Sequence, residues 1–294
     1  MLKRTLFFGN KASINTRMEQ LVIKTEQRET TVPIEDVGFV VIEHPETYIS
    51  ITTLSKLTDN NVAVIFCDQK HMPSSMLLNL NSHHLQQEIF KNQINASAPL
   101  KKQLWQQTVK TKIKHQSQLL KKQNRDFKVM EFHESKVLSG DTDNREGAAA
   151  AHYWKNLFDF EFRRERYGDY PNPFLNYGYI ILRAAVARAL SGSGLLCTLG
   201  IHHHNKYNAF CLADDIMEPF RPMVDQKVIQ IMNAYDDHDL TTEIKAELLS
   251  VLTETVYFED SKSPLMVGLS RTASSLQQCF TGTARKINYP TLWN

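Results

Sequence analysis

The stretch from Asn176 to Leu190, Asn-Tyr-Gly-Tyr-Ile-Ile-Leu-Arg-Ala-Ala-Val-Ala-Arg-Ala-Leu, constrains this chain most. It reads as a strongly apolar helix, ended by Ser191 to Gly194, and such a helix must be surrounded by other elements. It is therefore expected at the centre of a helical domain's core. A chain of 294 residues has room for two domains, and a hydrophobic content of 42% is enough for a sizeable core.

The first part of the chain follows a different period. Thr5 to Phe8, Met18 to Lys24, Glu29 to Pro33, Val37 to Ile42, Tyr48 to Ile51 and Val62 to Cys67 are short and rich in β-branched residues. Several alternate apolar with polar, and Gly, Asn, Asp or Pro bounds them, which predicts antiparallel strands between Leu2 and about Met72. Thr53 to Thr58 reads as one short helix among them. His44, Asp68 and His71 read as loop residues, and the expected job of the region is packing, including against a second copy. Around Ser74 to Pro99 the composition shifts to Leu, Asn, Gln and His, and helical spacing takes over. The expected class is α+β: a strand domain over 1–73, a linker or first helical segment over 74–99, and an α-helical domain over 100–294. Val224 to Met232 and Thr242 to Val256 read as further helices, with a polar tail from about 261 to Asn294.

Charge is nearly balanced, 34 Lys and Arg against 32 Asp and Glu, so affinity for a polyanion has to come from local distribution. Between Lys101 and Lys128 nine basic residues face one acid, Asp126. Leu100, Leu104, Val109, Ile113 and Leu119 or Leu120 supply an apolar stripe, so this segment predicts an amphipathic helix with a basic exposed side suited to phosphate contact. Lys110 and Lys114 are candidates for that contact. Arg163, Arg164 and Arg166, followed by Tyr-Gly-Asp-Tyr-Pro-Asn-Pro, form a basic loop with aromatics, which suits a phosphate backbone or splayed bases; an inter-helix connection with surface ion pairs is the alternative. Cys67, Cys197, Cys211 and Cys279 are widely spaced without a C-x-x-C pair, which argues against a zinc knuckle or a disulfide framework and for reduced thiols. With no apolar run of signal-peptide or membrane-spanning length, the expectation is a cytoplasmic protein without membrane association.

Two stretches carry candidate chemistry. Gly200 to Pro222 places His202, His203 and His204 ahead of an acidic segment, Asp214, Asp215 and Glu218, set among Phe210, Leu212, Ile216, Met217 and Phe220. If Phe210 to Glu218 is helical, Glu218 shares a face with Asp214 or Asp215. One imidazole and two carboxylates form a ligand set for a divalent cation, and carboxylates in an apolar setting need a metal or cationic partner; solvated charges and a surface histidine loop are the alternative. In Asp141 to Phe158, Asp143 or Asn144 can cap a helix whose first turn carries Glu146. From these residues alone Glu146 is an acid well placed at a helix N-terminus.

Taken together, Ile34-Glu-Asp-Val-Gly, Asn61 to His71, Glu146-Gly-Ala-Ala with Tyr153-Trp154, Leu175-Asn-Tyr-Gly-Tyr with Leu182-Arg183, and Gly200 to Pro222 give a specific pattern. Over nearly its whole length the chain resembles the CRISPR-associated integrase of spacer acquisition, the metal-dependent DNA endonuclease of CRISPR adaptation, in the compact form of type II systems. The resemblance implies a β-sandwich-like N-terminal domain followed by a larger all-α catalytic domain. It implies Glu146, His203 and Glu218 as catalytic metal ligands, with Asp215 as an additional acid, and Mg2+ or Mn2+ as cofactor. The triplet of histidines leaves the register open by one residue, and Glu218, where many relatives carry Asp, leaves Asp214 and Asp215 as competitors. Lys206 is a candidate for neutralising phosphate near the metal. The implied reaction joins the 3′-hydroxyl of a short DNA fragment to a CRISPR repeat boundary by transesterification. Implied partners are DNA, a second copy through the strand-rich domain, a small ferredoxin-like adaptation protein, and the type II RNA-guided effector nuclease. A stand-alone nuclease acting on branched or single-stranded DNA and a non-catalytic DNA-binding scaffold are the alternatives.

Overall fold

The structure, a computed structural model, describes residues 3–79 and 81–293; Leu2, where the strand-rich region was expected to begin, and Asn294, the end of the expected tail, lie outside them. Eight strands come first: β1 Arg4–Phe8, β2 Ser13–Arg17, β3 Gln20–Lys24, β4 Glu29–Pro33, β5 Val37–Ile42, β6 Tyr48–Ile49, β7 Ala63–Cys67 and β8 Pro73–Leu77, with helix α1, Ile51–Asp59, before β7. They form two four-stranded sheets, ordered β1-β5-β7-β8 and β4-β3-β2-β6. The antiparallel expectation holds for β2, β3 and β4 and for β7 with β8, but β1, β5 and β7 run parallel, as do β2 and β6. The reason is connectivity. A parallel neighbour needs a long crossover, which α1 supplies between β5 and β7 and the second sheet supplies between β1 and β5.

Side-chain alternation then decides what each sheet face covers. Phe39 and Val41 of β5, with Ala63 and Ile65 of β7, join the core of the helical region. Val40, Ile42 and Val64 turn to the other face and pack with Ile14, Leu21 and Val32 of the second sheet. Every residue of β5 is thereby buried, which is why its sequence shows no polar alternation.

The helical region contains α2 Gln86–Ile94, α3 Ala98–Lys122, α4 Lys128–Lys136, α5 Arg145–Leu157, α6 Asn172–Gly192, α7 Cys211–Met217, α8 Arg221–Ala234, α9 Thr242–Leu249, a hairpin of β9 Thr255–Tyr257 and β10 Lys262–Pro264, and α10 Leu265–Thr281. The apolar helix α6 is central, and Gly178 lets α8 approach it: a Cβ there would stand 2.4 Å from Val224 Cγ1. Three expectations are corrected. Helix α3 has the expected apolar stripe, with Leu104, Val109, Ile113, Leu119 and Leu120 buried, and exposes Lys102, Lys114, Lys121 and Lys122, but its basic residues do not all face outward, since Lys112 is buried along with Trp105, His115 and Gln116. The helix expected to reach Val256 stops at Leu249 and gives way to a turn and β9. Half of the tail is α10, whose Leu265, Leu269, Leu276 and Phe280 are buried at helical spacing.

The sheets and helices are tied by polar contacts as well as by apolar packing. Lys245 Nζ of α9 lies 2.9 Å from Glu43 Oε1, both side chains buried, and Arg188 Nε of α6 donates to the Asn61 carbonyl at 2.6 Å. Among the described residues no helix is long and apolar enough to cross a membrane.

Candidate metal centre

Helix α5 begins with more capping than its sequence suggested. Asp141 accepts the N–H groups of Arg145 and Glu146, at 2.9 and 3.0 Å, and Asn144 accepts that of Gly147 at 3.2 Å. Asp143, the other expected cap, instead faces Arg145 at 3.5 Å. With the first-turn donors satisfied, the Glu146 carboxylate is released from capping and reaches Lys112 of α3, Oε1 to Nζ 2.5 Å.

Glu218 arrives at the same nitrogen from the end of α7, where Pro219 follows it into a tight turn, Glu218–Phe220. Its Oε2 lies 2.5 Å from Lys112 Nζ, and its Oε1 accepts from Arg221 Nε at 2.8 Å. Two glutamates far apart in sequence thus aim at one ammonium, and their facing oxygens are at most 5.0 Å apart, since each is 2.5 Å from it. Burial would raise the Glu218 pKa, but Arg221 and Lys112 outweigh it and hold the carboxyl down at about 2. Burial likewise opposes the charge on Lys112, and Glu218 and Glu146 outweigh it, so its pKa is raised. Glu218 Oε2 is buried without an aligned hydrogen-bond donor.

The histidine loop closes over Asp215. That residue is fully buried, and its two oxygens accept the N–H groups of Ile201, His202 and His203 at 2.7, 3.0 and 3.1 Å. Such close wrapping requires Gly200, where a Cβ would sit 2.3 Å from the His203 carbonyl oxygen and 2.7 Å from Asp215 Oδ2. His203 Nδ1 lies 2.6 Å from Asp215 Oδ1. A carboxylate accepts only, so the imidazole proton belongs on Nδ1, leaving Nε2 with its lone pair. That hydrogen bond raises the His203 pKa against the effect of burial, and Glu218 and Glu146 add to the pull. The other two histidines are committed elsewhere. His202 stacks on Trp105 at 4.2 Å with the rings parallel, and His204 Nδ1–H donates to the His202 carbonyl at 2.8 Å. Asp214 is also engaged, accepting from Asn208 Nδ2 at 2.7 Å.

A buried layer supports this arrangement. The Arg221 guanidinium lies 4.5 Å from the Tyr179 ring, and the Tyr179 and Tyr153 hydroxyls both donate to Asp225, the latter at 2.6 Å. Burial pushes the Asp225 carboxyl up to about 6 despite both bonds.

Among the described residues no group of three or more His, Cys, Asp or Glu side chains is gathered closely enough to hold a metal as it stands. Yet the donors fit a divalent cation: two carboxylates face one positive charge, one keeps an unaligned buried oxygen, and an imidazole of fixed tautomer lies within their electrostatic reach. Lys112 and Arg221 were not singled out as site residues from the sequence. The available signal was that Lys112 falls seven residues after Trp105, on the inward face of a helix.

The remaining basic candidates separate by surroundings. Arg164 is tied into its own loop, donating to Asn172 and Asn176 Oδ1 at 2.8 and 2.7 Å and lying 5.3 Å from the Tyr179 ring. Arg163 has an 88% exposed side chain paired with Glu165, and Arg166 and Lys206 lie over the exposed rings of Tyr167 and Tyr207. Lys114 is exposed and Lys110 half-buried, both close enough to pull on Glu134.

Comparison with known proteins gives a consistent result. The closely matching "CRISPR-associated endonuclease Cas1" of Neisseria meningitidis serogroup C (strain 8013) is 36% identical over 297 residues, covering 99% of this chain and 96% of that protein. A solved casposase bound to integration product superposes with a TM-score of 0.78 at 21% identity, covering 98% of this chain and 93% of that one. A chain of a solved Cas6-RT-Cas1–Cas2 complex gives 0.74 at 21% identity, covering 99% of this chain and 36% of that one. At such identities these two establish a shared fold. The family model described as "CRISPR associated protein Cas1" matches residues 6–255, and the chain belongs to the Cas1 family.

Proposed function

We propose that this chain is a divalent-metal-dependent DNA endonuclease and integrase of CRISPR adaptation, joining the 3′-hydroxyl ends of short DNA fragments to CRISPR repeat boundaries by transesterification. Membership of the family and the endonuclease named among its relatives support the activity; the casposase with its integration product supports strand joining. The observation that carries the reading is the convergence of Glu146 and Glu218 on one buried cation.

Glu146, Glu218 and His203 Nε2 are assigned as the ligands of Mg2+ or Mn2+. When bound, such an ion polarises a phosphoryl oxygen and assists the nucleophile or leaving group. The rest falls to the chain itself. Asp215 acts as the residue that orients His203, both of its oxygens being occupied by the histidine loop. Arg221 holds one oxygen of Glu218 and keeps that carboxyl ionised. The buried Tyr179 ring braces Arg221, and Tyr179 and Tyr153 are themselves held by Asp225. Arg163, Arg166, Lys206, Lys110 and Lys114 are assigned to the DNA backbone, whose charge they would neutralise without reading sequence. Arg164 serves the same surface indirectly, by shaping the loop that presents its neighbours.

The assembly is proposed as a homodimer through the strand-rich domain, bridged by a small ferredoxin-like adaptation protein and working in the cytoplasm with the type II RNA-guided effector nuclease. A neighbour solved within a Cas1–Cas2 complex supports the small partner. The test is a gel assay offering purified protein, with and without that partner, a short labelled duplex with 3′-hydroxyl ends and a supercoiled plasmid carrying a repeat array. Label should enter the plasmid with Mn2+ or Mg2+, and should vanish with Glu146→Ala or a 3′-blocked duplex. Nicking without label would replace integration by hydrolysis, and binding without chemistry would leave a scaffold.

A further inference from the structure

Lys112 stands where the proposed ligands meet. Its ammonium is 2.5 Å from Glu146 Oε1 and 2.5 Å from Glu218 Oε2, and the residue is buried on α3 between Thr108 and His115, which are buried too. The ammonium has a clear role there, because two carboxylates with oxygens this close would otherwise repel each other. A divalent cation needs those same oxygens. An ammonium and a dication cannot share the space between them, since like charges at such separations repel strongly away from bulk water.

Resting on the metal-site reading above, we propose that Lys112 is a resident counter-ion: it occupies the seat between Glu146 and Glu218, keeps the two carboxylates in place, and must be displaced for the metal to load. The side chain suits this, being an unbranched, flexible stem that can withdraw its charge without moving the helix. The backbone of the site is then arranged before the metal arrives, and the affinity for metal is lower than the bare carboxylate pair would give. Lys112 is a positioning residue in this scheme, since it acts through the two glutamates.

The test uses the full chain and Mn2+ alone as probe. In Lys112→Met, of similar length and neutral, the Kd for Mn2+ by titration calorimetry should fall about tenfold or more, because the competing charge is gone. Its melting temperature in EDTA should drop, and the rise on adding Mn2+ should exceed that of the wild type. A lowered melting temperature with unchanged or weaker Mn2+ affinity would overturn the proposal. A second measurement needs no variant: with an amine-reactive reagent and peptide mass spectrometry, Lys112 should be protected in EDTA and labelled faster at saturating Mn2+. Labelling indifferent to Mn2+ would also overturn it. Glu146→Ala keeps the two readings apart. If it abolishes Mn2+ binding while Lys112→Met leaves the affinity unchanged, the metal site stands and the counter-ion falls. If neither wild type nor Lys112→Met binds Mn2+, both fall.

Discussion

Asp215→Asn separates a residue that orients His203 from one that binds a cation directly. The carboxylate takes four hydrogen bonds, from the N–H groups of Ile201, His202 and His203 and from His203 Nδ1, at 2.7, 3.0, 3.1 and 2.6 Å. An amide accepts on one side only. With its carbonyl toward Ile201 and His202, its NH2 opposes the His203 N–H and donates to Nδ1, which drives the imidazole proton onto Nε2. In the opposite orientation two backbone N–H groups face the NH2, so the first arrangement wins. It leaves the part-buried His203 N–H unpaired against an NH2, at about 1–3 kcal/mol, and reduces two charge-assisted bonds to neutral ones, at about 1 kcal/mol each, roughly 3–5 kcal/mol together. At about 2–4 °C per kcal/mol for a chain of this size, the melting temperature should fall by about 10 °C. Displacing the lone pair of Nε2 should also weaken Mn2+ binding by about 10- to 100-fold, the usual effect of losing such a supporting carboxylate. Thermal melts in EDTA and Mn2+ calorimetry read the two effects separately. A variant that melts within about 2 °C of wild type, or binds Mn2+ equally well, would refute the orienting role.

Three further outcomes follow from the same geometry. Gly200→Ala puts a methyl group 2.3 Å from a backbone oxygen, so the histidine loop has to move; strand joining should be lost while the circular dichroism of the fold persists, and wild-type joining would contradict the packing argument. Asp225, with a folded pKa of about 6 that lies above its unfolded value, stabilises most where it is protonated in both states, and this contribution declines as pH rises from about 4 to about 6, by roughly 3 kcal/mol in all. Asp225→Asn should therefore gain stability relative to wild type across that interval in urea unfolding, and a difference constant with pH would contradict the burial. Arg163→Ala and Arg166→Ala should each reduce the salt dependence of DNA binding by about one unit of slope. Arg164→Ala should instead lower the melting temperature through its lost bonds to Asn172 and Asn176. Equal effects at all three would refute the distinction.

Much of the fold was legible because periodicity reports burial, and the failures have the same cause. Strand β2, Ser-Ile-Asn-Thr-Arg, and edge strand β8, Pro-Ser-Ser-Met-Leu, were missed: polar residues fill their exposed faces and hide the alternation. Parallel pairing is a property of connections, which no single strand displays. Helix α10 escaped notice because Ser, Thr and Gln dilute its composition, although Leu265, Leu269, Leu276 and Phe280 still follow a helical stripe. At the candidate site, sequence named the acids and the histidine cluster, and it required a cationic partner for buried carboxylates without saying which. Lys112 and Lys114 are equally basic in sequence, and only the phase of α3 sends one inward and the other to solvent. Three adjacent histidines are indistinguishable as letters; a buried Asp215 and the stacking of His202 on Trp105 give them different tasks.

The most direct test of the account is anomalous diffraction at the manganese edge from crystals of this chain soaked in Mn2+. The account predicts one strong peak per chain, about 2.1 Å from oxygens of Glu146 and Glu218 and from Nε2 of His203, with Lys112 Nζ withdrawn from between the glutamates. A peak that excludes any of the three ligands, or a site where Lys112 still bridges both carboxylates at saturating Mn2+, would contradict it.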